Sequence, residues 1–326
     1  MKKTPLLSIC IPTWNRWYSL QHTLKSIIDY DEFKSWDVEI VISDNASIDE
    51  TEWEIKKMCV KWKNIKYYRN NKNVWAMENI NKAYSLWSWK YLWCLSSHTK
   101  VNHWSLARIL SLLARFQPVL LINFPWNSIY FSSYRDNNFK KDYNIYIFDN
   151  MVNYFNYLWN QLLYDKKSFD LTNQLFSNMW CPIMDKNYYN GTIKDIIIDR
   201  WNDFFNSHNF IHLFTAYYNG WEKKVVLNNI PAFCLVDINI DNEVNELKTN
   251  WSRKDRIYME DIHVFTEYIR NKYYCDNNVL LFLKKLDSFW TKLYYVSNIP
   301  FIDSLKKLFS KELRAKVRDF FANPKF

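Results

Sequence analysis

Between residues 6 and 124, short β-branched apolar runs alternate with longer stretches whose apolar residues fall three and four apart. No other feature constrains the fold as much. The strand-like runs cover residues 6–12, 38–43, 65–69, 91–95 and 119–124, and the stretches with helical period cover 20–28, 50–60, 77–86 and 106–116. Strand and helix in repeated succession build a parallel sheet with helices on both faces, so an α/β fold is expected. Ligands of such sheets bind beyond the carboxyl ends of the strands. The residues to inspect are therefore 13–16, 44–49, 70–75 and 96–100.

The 326 residues leave room for one large domain or two, and no internal repeat or low-complexity linker divides them. The second half is expected to complete the same domain. Residues 125–164 are aromatic and Asn-rich with no clear period, and their Tyr and Phe side chains read as core before acceptor-binding surface. Further on, helices are expected at 210–218 and 256–272, a turn at Asn219-Gly220 and a strand at 224–227. No apolar run approaches the roughly 18 residues that suggest a membrane span. The basic start Met1-Lys2-Lys3 leads into too short an apolar run for a signal-peptide core. The six cysteines, Cys10, Cys59, Cys94, Cys181, Cys234 and Cys275, include no C-x-x-C pair and read as buried thiols in a reducing cytoplasm.

A net charge of +9 suits anionic partners: nucleic acid, a phosphorylated small molecule or an acidic membrane. The basic residues are scattered, and no RRM, KH or zinc motif is present, which argues against nucleic acid. Within residues 301–321, Ile302, Leu305, Leu308, Phe309, Leu313, Val317, Phe320 and Phe321 form one helical stripe with lysines and arginines largely off it. Two readings fit: a basic amphipathic helix on an anionic membrane surface, or a terminal helix packed on its own domain.

The stretch Leu7-Ser8-Ile9-Cys10-Ile11-Pro12-Thr13-Trp14-Asn15-Arg16 is followed by Asp44-Asn45-Ala46-Ser47-Ile48-Asp49. Tyr68-Arg69-Asn70 with Asn73-Val74, and then Tyr91-Leu92-Trp93, come next in order. This series strongly resembles the family 2 glycosyltransferases of the GT-A fold. The resemblance implies a GT-A domain over residues 1–250, with a nucleotide-sugar-binding half at 5–125 and an acceptor half at 126–250, and a helical extension at 251–326. It also implies transfer of a sugar from a nucleotide-sugar donor to a saccharide or lipid-linked saccharide acceptor in surface-polysaccharide assembly. The place would be the cytoplasm, at the inner face of the membrane if the basic helix rests there. By the same resemblance Pro12, Thr13, Asn15, Arg16, Asp44, Asn45, Arg69, Asn73, Ser97, His98 and Thr99 line the donor site. The residue chemistry agrees. Asp44 and Asn45 can accept from base and ribose, and Arg69 can pair with a base carbonyl or a phosphate. Asp49 reads instead as a helix cap.

Most GT-A enzymes carry an Asp-x-Asp motif after the fourth strand, whose carboxylates hold a divalent metal on the donor diphosphate. Here that place reads Ser96-Ser97-His98-Thr99-Lys100, with no carboxylate. Magnesium and manganese prefer oxygen ligands of carboxylate type, so no metal ligand is assigned, and a divalent magnesium or manganese ion stays open as a cofactor without its usual motif. Three readings stay open: His98 ligates a softer metal or bonds the phosphate; the enzyme works without metal, using hydroxyls with Lys100, Arg253 or Lys254; or the chain is an inactive nucleotide-sugar or glycan-binding homologue. An inverting transfer also needs a general base for the acceptor hydroxyl. The resemblance points to the acceptor half, where His212 comes first and Asp199 and Asp203, spaced along one helix face, come next.

Average usage predicts about 23 glycines, yet the chain has 2 Gly and 17 Trp. Trp36, Trp75, Trp89, Trp104 and Trp180 stand where the resemblance calls for glycine, mostly in turns that ask for φ > 0. One cause covers all of them: UGA codons that encode glycine in the source lineage and are read here as tryptophan. Trp93, within a strand, and Trp14 are expected to be genuine.

Overall fold

The computed structural model describes residues 5–125, 145–162, 180–198 and 222–235. Strands β1 (Leu7–Thr13) and β2 (Val38–Asp44) are almost wholly buried, as their near-continuous apolar sequences require. They pair in parallel, and β3 (Ile65–Arg69) and β4 (Tyr91–Cys94) extend the parallel set on either side in the order β3-β2-β1-β4. Thr13 lies opposite Asp44 and Asp44 opposite Arg69, so three strands end level with one another.

Helices α1 (Trp17–Ile28), α3 (Thr51–Lys61) and α4 (Ala76–Ser85) connect these strands, with a single turn, α2 (Asp31–Lys34), added before β2. Leu20, Leu24, Ile27 and Ile28 of α1 are buried, as their three- and four-residue spacing demands. Asp49 binds the first N–H of two helices at once. Its Oδ2 accepts from the Trp17 N–H (3.0 Å) at the start of α1, and its Oδ1 from the Thr51 N–H (3.1 Å) at the start of α3.

Beyond β4 the sheet departs from the expected parallel pattern. Strand β8 (Pro182–Asp185) lies between β4 and β6 (Leu120–Pro125) and runs antiparallel to both. Strand β9 (Val225–Leu235) pairs parallel with β6 and antiparallel with β5 (Thr99–Val101) and β7 (Ile145–Phe148). The α/β architecture holds, but the sheet is mixed, and the 119–124 strand is not the direct neighbour of β4. Helices α5 (Ser105–Phe116), α6 (Met151–Leu162) and α7 (Lys186–Ile198) complete the described elements. Of the aromatic 125–164 stretch, β7 and α6 are described, and Tyr154 and Phe155 are core residues as read. The expected elements at 210–218, 256–272 and 301–321 lie outside the described residues.

Trp93, Tyr84, Tyr91 and Tyr154 are the largest fully buried side chains among the described residues. Glu39 is buried on β2 and compensated by Lys66 (2.7 Å), the Ser8 hydroxyl and the Ser88 N–H. Cys10, Cys94 and Cys181 are buried free thiols, and burial pushes the Cys94 thiol up to about 12. Among the described residues no helix is long and apolar enough to cross a membrane.

Among the described residues five other than glycine have positive φ, and two of them are Trp36 (66°) and Trp104 (64°). Trp75 enters α4 with an ordinary extended backbone (φ −59°), so the left-handed turn expected there is absent. Trp89 and Trp180 are likewise not among the positive-φ residues. Trp93 is fully buried and its Nε1–H donates to the Trp180 carbonyl at 2.8 Å.

Candidate active site

The loops after β1, β2, β3 and β4 converge beyond the level ends of the parallel strands. Asn15, at φ 47°, joins the first two loops: its N–H donates to Ser47 Oγ (2.8 Å), and its Oδ1 accepts from the Ile48 N–H (2.7 Å). Asp44 anchors the second loop from inside. Its carboxylate is fully buried and accepts from the Ser47 N–H, the Ser47 hydroxyl and the Tyr67 hydroxyl, with Arg69 Nε 3.7 Å away. Tyr67 and Arg69 are two apart on β3 and share a face, which is why both reach Asp44. Burial and, next, the bond to Asp44 hold the Tyr67 hydroxyl protonated well above its ordinary range. Arg69 is further held by Glu52 (3.1 Å) and by the Ser47 carbonyl (2.9 Å).

Asn45 is engaged in the same way. Its amide donates to Asn73 Oδ1 and the Val74 carbonyl, both at 2.7 Å, while its Oδ1 accepts from Asn70 Nδ2 (3.0 Å) and the Val74 N–H (2.9 Å). Asp44 and Asn45 were expected to offer oxygens to base and ribose. Their oxygens accept from Ser47, Tyr67, Asn70 and Val74, and through these bonds Asp44 and Asn45 hold the loops after β2 and β3 in place. Ser47 and Asn70 lie in the stretches marked from sequence but were given no role, and Tyr67 was not marked, although the two-residue period of β3 links it to Arg69.

The fourth loop holds Ser96, Ser97 and His98. Ser97 is buried and its carbonyl accepts from Thr23 Oγ1 of α1 at 2.9 Å. Thr13 and Thr99 are buried with hydroxyls that lack a partner, and Pro12 is half-buried. His98 Nδ1 lies 3.1 Å from Arg16 Nη1 and 2.6 Å from Ser96 Oγ. Its ring meets Trp180 edge-on, with centroids 6.3 Å apart. Burial, and then the charge of Arg16, push the His98 imidazole down to about 4, so it is neutral at physiological pH.

A divalent metal of the kind that the family holds on an Asp-x-Asp motif does not fit this donor set. Ser96, Ser97 and Thr99 offer neutral hydroxyls, and no group of three His, Cys, Asp or Glu side chains suited to a metal occurs among the described residues. Lys100 is exposed on β5. Arg253, Lys254, His212, Asp199 and Asp203 lie outside the described residues. A separate concavity, lined by Pro5, Trp89, Lys90, Asp185 and Lys186, opens at the amino ends of β1 and β4, away from every expected binding residue.

Comparisons with known proteins agree with this geometry. Abequosyltransferase RfbV of Salmonella typhimurium is 39% identical over 107 residues, a match spanning 31% of this chain and 31% of that protein. Among solved structures, S. aureus TarS superimposes with a TM-score of 0.61 at 14% identity, over 90% of this chain and 75% of that one. TarS in complex with UDP-GlcNAc gives 0.59 at 13% identity, over 90% and 73%. The mannosyltransferase PcManGT from Pyrobaculum calidifontis, in complex with GDP-Man and Mn2+, gives 0.55 at 9% identity, over 98% and 81%. At such identities these structures share the fold. The family model for glycosyl transferase family 2 matches residues 8–180, more than half of the sequence, and the chain belongs to that family.

Proposed function

We propose that the chain transfers a sugar from a nucleotide-sugar donor, bound beyond the carboxyl ends of β1–β4, to a saccharide or lipid-linked acceptor in surface-polysaccharide synthesis. The observation that carries this reading is the level ending of Thr13, Asp44 and Arg69, with three loops joined above them by Asn15, Asp44 and Asn45 and the fourth joined to the first by the Arg16–His98 contact. The likeness to an abequosyltransferase supports the polysaccharide setting, and the UDP-GlcNAc complex of TarS supports a nucleotide-sugar donor. In the transfer, the acceptor oxygen bonds to the anomeric carbon. The bond from that carbon to the diphosphate oxygen breaks with its electron pair, and the acceptor proton passes to a base. His212 is the first candidate base, followed by Asp199 and Asp203. Residues 5–125 are assigned to the donor and 126–250 to the acceptor.

Incubation of the full chain with UDP-, GDP-, CDP- and dTDP-sugars and lipid-linked saccharides tests the activity through release of nucleoside diphosphate. Transfer from one donor supports it. Stabilisation by nucleotide with no turnover of any donor would instead favour an inactive binding homologue. A cytoplasmic enzyme resting on the membrane through 301–321 accounts for the apolar stripe flanked by basic residues. Loss of binding to anionic liposomes on removal of residues 301–326 is the expected result, and unchanged binding rejects it.

The same reading includes glycine at the anomalous tryptophans. Support comes from the left-handed backbone at Trp36 and Trp104, a conformation in which a bulky side chain is an outlier. UGA codons at these positions, and native peptides with the mass of glycine, are expected; UGG codons would end the idea.

A further inference from the structure

Arg16 is half-buried at the start of α1, on the edge where the donor site is proposed. Its side chain meets a neutral imidazole, and no carboxylate pairs with it among the described residues. Arg69 is the contrast, because its charge is answered by Asp44 and Glu52. A guanidinium drawn partly out of water without a counter-charge is a prepared site for an anion.

Arginine has donors only, so the 3.1 Å contact is a hydrogen bond in the tautomer whose proton is on Nε2, with Arg16 and the Ser96 hydroxyl (2.6 Å) both directed at Nδ1. In that tautomer neither ring nitrogen has a lone pair free for a metal. A divalent cation at this position would also sit against the Arg16 charge. The residues that replace the family's carboxylates thus both exclude a metal and hold a cation of the chain's own.

We propose that Arg16, positioned by His98 and Ser96, takes the place of the divalent metal and binds the diphosphate of the donor, so that donor binding and transfer proceed without metal. This rests on the nucleotide-sugar reading above and names the charge that the site uses. As the bond to the anomeric carbon breaks, the electron pair left on the diphosphate oxygen is stabilised by the guanidinium through charge-assisted hydrogen bonds. Arg16 is then a catalytic residue, and His98 a positioning residue that acts through it.

Calorimetric titration of the full chain with UDP, GDP, CDP and dTDP, and with the corresponding monophosphates, in EDTA and in Mn2+, tests this. At least one diphosphate is expected to bind equally well in both media. Arg16→Gln should weaken that diphosphate about tenfold or more while leaving the monophosphate nearly unchanged, Arg16→Lys should restore part of the loss, and His98→Gln should fall between. A general loss of structure would weaken both ligands alike, and the EDTA comparison on the unmodified chain needs no variant. Diphosphate binding that requires Mn2+, or an Arg16→Gln variant with the original preference for diphosphate, overturns the proposal and leaves the donor reading standing. Failure of every nucleotide to bind in either medium overturns both.

Discussion

Tryptophan at φ 66° and 64° is costly because its Cβ crowds the neighbouring carbonyl in the left-handed region. Replacing Trp36 or Trp104 with glycine should therefore stabilise the chain by about 1 kcal/mol each, after the entropy that glycine adds to the unfolded state. Urea denaturation measures this, with Trp93→Gly as the contrast, expected to cost about 3–5 kcal/mol because that ring is fully buried. His98 makes a separate prediction. Between about pH 4 and its ordinary value of 6.5, the unfolded chain binds a proton that the folded chain does not, so stability rises with pH across that window and is lost on acidification. Thermal melting of His98→Gln should show a shallower acid decline; an unchanged slope would place the titration elsewhere. Arg16 and His98 were both named from the sequence as candidate donor-site residues. Their contact was not, because 82 positions separate them, and only the closing of β4 against β1 brings them together.

At the level of elements, the strands and helices with clear period were readable to within a few residues, since burial on one or two faces dictates their patterns. The strands β5, β7 and β8, of only three or four residues each, were not. So few positions carry no usable period, and their pairing partners are remote in sequence. The same limit hid the occupied state of Asp44 and Asn45: residue type shows that an oxygen can accept, whereas the donors it accepts from arrive from β3 and the loop after it. Asp49, read as a cap, stands one residue before the N-cap Glu50 of α3 and accepts from the first N–H of that helix and, unforeseen, from that of α1. Asp49→Ala removes the acceptor for the first N–H of both α1 and α3, at an expected cost of about 0.5–2 kcal/mol for each cap. Hydrogen exchange at the Trp17 and Thr51 amides should quicken together. Faster exchange at Thr51 alone would show that the two helices are not joined through this carboxylate.

Across the whole molecule, the sheet interleaves the two halves of the chain. Strand β4 is bordered by β1 on one side and by β8 on the other, and β6 depends on β8 and β9. Residues 1–125 expressed alone should therefore lack cooperative unfolding, with β4 left as an open edge; a sharp thermal transition in that fragment would contradict this. The inserted strand also sets an order of events during synthesis. Cys94 at the end of β4 and Pro182 at the start of β8 are about 90 residues apart, which at 5–20 residues per second amounts to about 4–18 s on the ribosome. For that interval an apolar strand edge waits for a neighbour not yet made, open to pairing with other chains. Translation speed between these two strands therefore governs how much of the newly made protein escapes aggregation.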